Sequence, residues 1–332
     1  MGRRFSVGKR SRHWSRVGTI LLFDFFISDL IGALGKAAKI DGKFAYYTSA
    51  ETATKIIQKK EIWLRSATVM NDYSEITHGL SLLKEAFSSE VGNRFYSRLE
   101  SLHNGIKADI ERELSQLAPR WESETYLACL SRHDPKEDKT GRLSMWRAYG
   151  DVALVIDHTP LTSVSDNFGF FSMPVQYLDH NGINQWLQRE LEGNSTSTVV
   201  ASLCQLERDA LVERVVELFF VMAVGIKHFG FSEEKEWRIV FRPTGYEDAL
   251  LTRRIEIVRG VPQPMWALPL RHDPENNLYR ADIPSLLDRI IIGPTSYPHA
   301  TAIAFRQLLK DAGVEDFDQK VVESDIPLRG LA

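Results

Sequence analysis

Residues 233–241 read Glu-Glu-Lys-Glu-Trp-Arg-Ile-Val-Phe, a run of charges that passes into an alternating pattern. From Glu236 onward, Trp237, Ile239 and Phe241 share one face of a strand, and Glu236, Arg238 and Val240 share the other. The aromatic face calls for a core. The opposite face sets a carboxylate beside a guanidinium at a strand end, which keeps the acid ionised and suits chemistry that needs a fixed negative charge. The same spacing also fits a plain surface ion pair. A second stretch, Ser144-Met145-Trp146-Arg147-Ala148-Tyr149-Gly150, sets Trp146 and Tyr149 on one side of a helical turn that Gly150 ends. An aromatic exposed at such a junction stacks on a flat ring; one turned inward plugs the core. Asn71 and Asp72 lie in a polar loop before a long helix, where they either start that helix or line a pocket.

Length and composition bound the scaffold that must hold these groups. The chain has 332 residues, enough for one large domain or two modest ones. A formal net charge of -3 supplies no global field that selects nucleic acid or anionic lipid. The two cysteines, Cys129 and Cys204, are far apart and outside any Cys-x-x-Cys, so a reducing cytoplasm fits best. No His-Glu-x-x-His or paired Cys/His spacing marks a zinc site, and no metal is expected. Residues 1–38 form a basic extension carrying Arg3, Arg4, Lys9, Arg10, Arg12 and Arg16, followed by an apolar stretch from Ile20 to Ile31. Asp24 and Asp29 interrupt that stretch and argue against a transmembrane span or a secretory leader. The extension reads either as an amphipathic helix docked on the body or on an anionic surface, or as an appendage with no catalytic part.

The remaining pattern is that of an α+β domain over residues 39–329. Residues 43–49 read as a strand, and Thr48 with Glu51 as the capping box of the helix that follows. Residues 62–66 read as a strand around Trp63. Ile76, Leu80, Leu83, Phe87, Val91, Phe95, Leu99, Leu102, Ile106 and Ile110 recur at helical steps, predicting amphipathic helix broken near Gly92 that packs as core rather than serving a cofactor. Residues 125–131 and 152–157 read as strands, and 171–178 as a strand with Pro174 at an edge or bulge. Residues 199–227 predict one long buried helix, its interior charges excluding a membrane span. Strands follow at 254–258, 264–268 and 289–292, then a helix at 299–312 and a last strand at 320–323. Strands and helices do not alternate regularly, so a mixed or antiparallel central sheet is expected, with helical insertions near 75–118 and 182–229. No Gly-rich loop follows a strand, so a Rossmann or Walker site is not supported.

Taken in order, Tyr46-Tyr47-Thr48-Ser49, Asn71-Asp72 before Glu75, Ser144 to Tyr149, Glu234 to Arg238, Ile291 to Pro294 and Ser324 to Arg329 resemble the bacterial family catalogued as domain of unknown function 2971, over about residues 44–329. A looser resemblance is to ADP-ribosyltransferases of the His-Tyr-Glu type, in which a first-strand His holds the NAD ribose, a Tyr stacks on nicotinamide and a later Glu acts at the reacting ribose. This chain offers Tyr46, Tyr149 and Glu236 in that order, with Tyr46 where that family's pattern has His. The resemblance implies an ADP-ribosyltransferase-like fold and an enzyme that consumes NAD and modifies a nucleic acid or protein, in a toxin or phage-defence setting with an antitoxin or other regulatory partner. Glu236, Tyr149 and Tyr46 would be catalytic. Tyr47, Thr48, Asn71, Asp72, Trp146, Arg147 and Arg238 would hold the dinucleotide, the arginines at its pyrophosphate. Two other readings stand beside this one: a non-catalytic module binding a nucleotide or a partner in the same cleft, and a metal-dependent nuclease suggested by the acid-x-Lys spacing of Glu233 and Lys235.

Overall fold

The computed structural model describes residues 42–70, 75–157, 170–192, 205–243, 250–276 and 278–327. The basic extension, Asn71, Asp72 and Cys204 lie outside them. In chain order the elements are β1 (Lys43–Thr48), α1 (Ala50–Lys59), β2 (Glu61–Ser66), α2 (Glu75–Ser88), α3 (Glu90–Leu102), α4 (Ile106–Glu124), β3 (Tyr126–His133), α5 (Leu143–Tyr149), β4 (Val152–Asp157), β5 (Phe170–Pro174), β6 (Gln176–Leu178), α6 (His180–Glu192), α7 (Arg208–Gly225), β7 (Ile226–His228), β8 (Glu236–Phe241), β9 (Thr252–Val258), β10 (Val261–Pro269), α8 (Ile283–Leu286), β11 (Leu287–Ile292), α9 (Pro298–Asp311), α10 (Phe317–Lys320) and β12 (Val321–Glu323).

Among the described residues, ten strands form one mixed sheet along the path β12-β11-β4-β1-β3-β2-β10-β9, with β8 added to β3 and β5 added to β8. The β11–β12 pair is parallel and its other pairs are antiparallel. The architecture is therefore α+β with a mixed central sheet. Strand β3 is its branch point. One edge of β3 pairs with β8 from Tyr126 to Ser131. The other edge is shared: β2 takes Tyr126 and Leu127, and β1 takes Ser131, Arg132 and His133. Between them β1 and β2 part, and Ala128, Cys129 and Leu130 sit at the fork.

Both faces of the central strands are covered. On one, Trp237, Ile239 and Phe241 join Phe44, Leu130, Leu154 and Ile156 beneath α1 and α9, and the Trp237 ring packs 5.2 Å from that of Phe44. On the other, Leu127 and Val240 meet a helical block built from α2, α3, α4, α6 and α7. The two helical insertions thus pack on each other and share one core. Helix α7 is buried on nearly all sides from Leu211 to Gly225, which explains its unbroken apolar reading. Among the described residues no helix is long and apolar enough to cross a membrane.

Three local expectations shift. The cap of α1 is Ser49, whose hydroxyl accepts from the Thr52 amide at 3.2 Å; Glu51 pairs with Lys55 one turn on, so Thr48 caps nothing. The break between α2 and α3 falls at Ser89, not Gly92. Gly92 lies inside α3, where a Cβ would stand 2.3 Å from the Phe87 Cα, so its smallness serves close approach of the two helices. Among the described residues α7 starts at Arg208, because Glu207 is extended.

Gly150 closes α5 at φ 142, ψ -161, a region almost confined to glycine. A Cβ there would lie 2.5 Å from the Thr48 carbonyl carbon. Gly150→Ala is expected to cost ~1–3 kcal/mol or more, read as a lower urea midpoint, and to disturb the end of α5 that carries Tyr149.

Candidate functional site

The opening charge run folds so that its alternate acids turn inward. Residues Phe229–Glu234 form a 3-10 segment that ends at Lys235 in the left-handed conformation, φ 46. That reversal leaves Glu233 and Lys235 exposed while Glu234 and Glu236 are buried. Its geometry is fastened from outside: the Ser131 hydroxyl donates to the Glu234 carbonyl at 2.5 Å, and the Arg142 guanidinium donates to the Glu233 and Glu234 carbonyls at 3.0 Å each.

Lys227, the middle residue of β7, enters between the two acids. Its ammonium donates to Glu234 Oε2 and to Glu236 Oε2, at 2.7 Å each. Arg238 grips the other oxygen, Nε to Glu236 Oε1 at 2.7 Å, and also donates to the Val224 carbonyl at the end of α7. The Tyr149 hydroxyl donates to Glu234 Oε1 at 2.8 Å, and the Tyr177 hydroxyl accepts the Glu236 amide at 2.7 Å. Two cations and two anions are thereby enclosed together: Arg238 is 0% exposed, Lys227 2%, Glu236 5% and Glu234 7%. Glu236 and Arg238 are therefore not a surface ion pair but part of a buried network.

Burial alone would raise the Glu236 pKa. The charges of Arg238 and Lys227, with hydrogen bonds from Arg238 and the Cys129 thiol, outweigh it and bring the value down to about 2. Tyr149 is pushed well above the ordinary phenol range, first by burial and then by Glu234 and Glu236, with Lys227 opposing. Tyr46, on β1, is raised by burial and by Cys129 and lowered by Arg65 of β2. Tyr149 and Glu236 are joined through Glu234 and Lys227, whereas the Tyr46 ring packs with Ile56, Leu154 and Ile156 on the opposite face of the sheet from Glu236. The structure thus brings two of the three expected catalytic residues together and not the third.

The remaining candidates separate from this cluster. Tyr47 faces the opposite way from Tyr46. Its hydroxyl accepts the Arg142 amide at 2.9 Å, and its ring meets Trp146 edge-on at 4.7 Å. Trp146 is enclosed between Gly141 and Gly293 and donates to the Thr140 carbonyl at 2.9 Å. Both rings build core rather than a ligand platform. Thr48 is buried against Gly150. Arg238 is committed to Glu236 and Val224, which removes it as a pyrophosphate ligand. Arg147 is exposed on α5. The sequence reading missed Lys227, Glu234, Tyr177, Cys129 and Arg65. It also missed Phe229 and Phe231, exposed at 62% and 37% beside the cluster, with the Lys227 ammonium 4.9 Å from the Phe231 ring centre. The Glu-x-Glu spacing was the available signal for Glu234; nothing local announced Lys227.

Residues 145–239 match the family described as protein of unknown function (DUF2971). The match takes in Trp146, Arg147, Tyr149, Lys227, Glu234, Glu236 and Arg238, and leaves Tyr46 outside. No curated protein and no solved structure matches the chain.

Removing one partner from a buried ionic network strands the others. Lys227→Met is expected to destabilise the fold by ~3–5 kcal/mol in denaturant titration. The pH dependence has a definite sign. Glu236 has a folded pKa of about 2 against an ordinary 4.5, so its stabilisation is complete above the unfolded value and is lost as pH falls through the folded one. Across that acid window, Glu236→Gln should show a shallower loss of stability than the parent.

Proposed function

We propose that the chain is an NAD-dependent ADP-ribosyltransferase that breaks the nicotinamide–ribose bond and passes ADP-ribose to a macromolecular acceptor, a nucleic acid or a protein. One observation carries the reading: Glu236 is a buried carboxylate fixed by Lys227 and Arg238, and Tyr149 joins the same network through Glu234. Glycosidic cleavage passes through an oxocarbenium-like state that a fixed anion stabilises. Glu236 is such an anion, held ionised far below neutral pH. Its two oxygens offer about four lone-pair sites, so a ribose 2′-hydroxyl can donate alongside Lys227 and Arg238. Tyr46, which the resemblance sets in place of a histidine at the ribose, packs on the other face of the sheet and takes no part in this reading. Phe231 offers the ring face that the nicotinamide or adenine needs, and Tyr149 orders Glu234 behind it. Arg147, exposed near Tyr149, is the cation for the pyrophosphate. A role as a toxin or phage-defence effector, restrained by an antitoxin-like partner, follows from the same resemblance.

A second reading rests on a specific feature: every carboxylate oxygen of Glu234 and Glu236 already holds a donor. A network satisfied in this way also suits a binding module whose cleft recognises a nucleotide without turning it over. Incubation with NAD labelled in the adenylate, together with cell extract, separates the two. The transferase releases nicotinamide and labels an acceptor, and Glu236→Gln lowers both by about 100-fold or more while leaving NAD affinity within a few-fold. Nicotinamide release equal in parent and Glu236→Gln would remove the transferase reading. Tight NAD binding with no release by either protein would favour the module.

A further inference from the structure

One end of the large sheet is β9, which among the described residues pairs only with β10. Its sequence, Thr-Arg-Arg-Ile-Glu-Ile-Val, contains no proline, and its register against β10 runs without a bulge. Ile255 is 77% exposed and Ile257 58%. They stand across from the exposed Pro264 and Pro262 of β10, so an apolar strip continues over both strands. A long edge of this kind, with bare peptide groups and large aliphatic side chains, is a template for another strand.

The hairpin fixes which peptide groups are bare. Its two-residue turn, Arg259-Gly260, has both φ angles positive, 51 and 78, as a type I′ turn requires. Such a turn makes Val258 and Val261 exchange hydrogen bonds. By alternation, the N–H and C=O groups of Glu256 and Arg254 also point to β10, and those of Ile257, Ile255 and Arg253 point outward. The outward set is self-complementary. With a two-fold axis at Ile255, Ile255 meets its own copy and Arg253 meets Ile257, each as a pair that exchanges two backbone hydrogen bonds. On the other face the same axis sets Arg254, which also meets Glu61 in its own chain, opposite Glu256, which also meets Lys59, twice. Opposite charges in facing positions stabilise an antiparallel pair, and a surface that complements itself is what a closed two-fold interface needs.

We propose that β9 pairs antiparallel with β9 of a second copy of this chain, centred on Ile255, so that two sheets become one continuous sheet across the dimer. The arrangement bears on the candidate site because the tip of the same hairpin reaches it. Arg259 donates to the Tyr149 carbonyl at 2.9 Å and to the Ala148 carbonyl at 3.3 Å, at the C-terminal end of α5. Pairing through β9 would steady that tip and, through it, the helix end that presents Tyr149.

Analytical ultracentrifugation of the full chain tests the proposal, using Ile255→Asp, Ile255→Lys and an equimolar mixture of the two. The parent should sediment as a dimer. Each variant alone should be monomeric, its association weakened by about 100-fold or more because like charges face each other across the axis. The mixture should recover dimer, since Asp then faces Lys; recovery also shows that both variants are folded. A parent that stays monomeric at every concentration overturns the proposal. So does a dimer unaffected by either variant, or a mixture that remains monomeric. Slow amide exchange at Arg253, Ile255 and Ile257 in a monomeric parent would assign the edge to another segment of this chain, and would overturn it as well.

Discussion

The Lys227 ammonium between Glu234 and Glu236 is the interaction on which the rest of the site depends. Enclosing four ionic groups is costly, and it succeeds only where charge balances and each polar atom finds a partner. Here two cations face two anions, and the Val224 carbonyl, the Tyr149 hydroxyl and the Cys129 thiol take up further hydrogen-bonding capacity. The fold around them follows from that demand. Helix α7 must end at Gly225 to release Val224's carbonyl to Arg238. Lys235 must adopt a left-handed conformation so that Glu234 and Glu236 face one ammonium. Ser131 and Arg142 must pin the turn from behind. Strand β8 then enters the sheet with its aromatic face already committed to the opposite core, which fixes its register.

Much of the scaffold could be read from the sequence because it rests on local periodicity. The two-residue alternation of β8, the helical stripe from Ile76 to Ile110 and the glycine stop at Gly150 each name their element and their buried face. The site was less legible. Glu236 and Arg238 were visible as a pair, but their burial was not, because the pattern of a strand does not reveal what covers it. Lys227 stood at the end of an apolar run and read as the helix's last charge. The fork at β3 depends on three pairings between residues sixty or more positions apart in the chain, and no local signal carries it. Trp146 and Tyr149 show the same limit. Three residues apart on one short helix, one plugs the core and the other reaches Glu234, and only the tertiary surroundings separate them.

The arrangement also sorts the candidate residues by what they can still do. Arg238 and Lys227 are occupied in holding Glu236, so any phosphate must be met by an exposed cation such as Arg147. Tyr47, Thr48 and Trp146 are structural supports beneath the end of α5. Phe229 and Phe231 are the exposed aromatic rings beside the network, whereas Tyr47 and Trp146 are buried. Arg259 ties a distant hairpin to the same helix end, so the outermost strands and the site share one contact.

The central claim is that the fork of the sheet is where a dinucleotide is bound. Hydrogen–deuterium exchange of the Glu236→Gln protein with and without NAD measures this without relying on turnover. The account predicts slower exchange confined to residues 44–48, 126–131, 145–150 and 226–236, the segments that border the fork and the Lys227 network. Unchanged exchange in all four segments at NAD concentrations well above cellular levels, or protection only elsewhere in the chain, would contradict it.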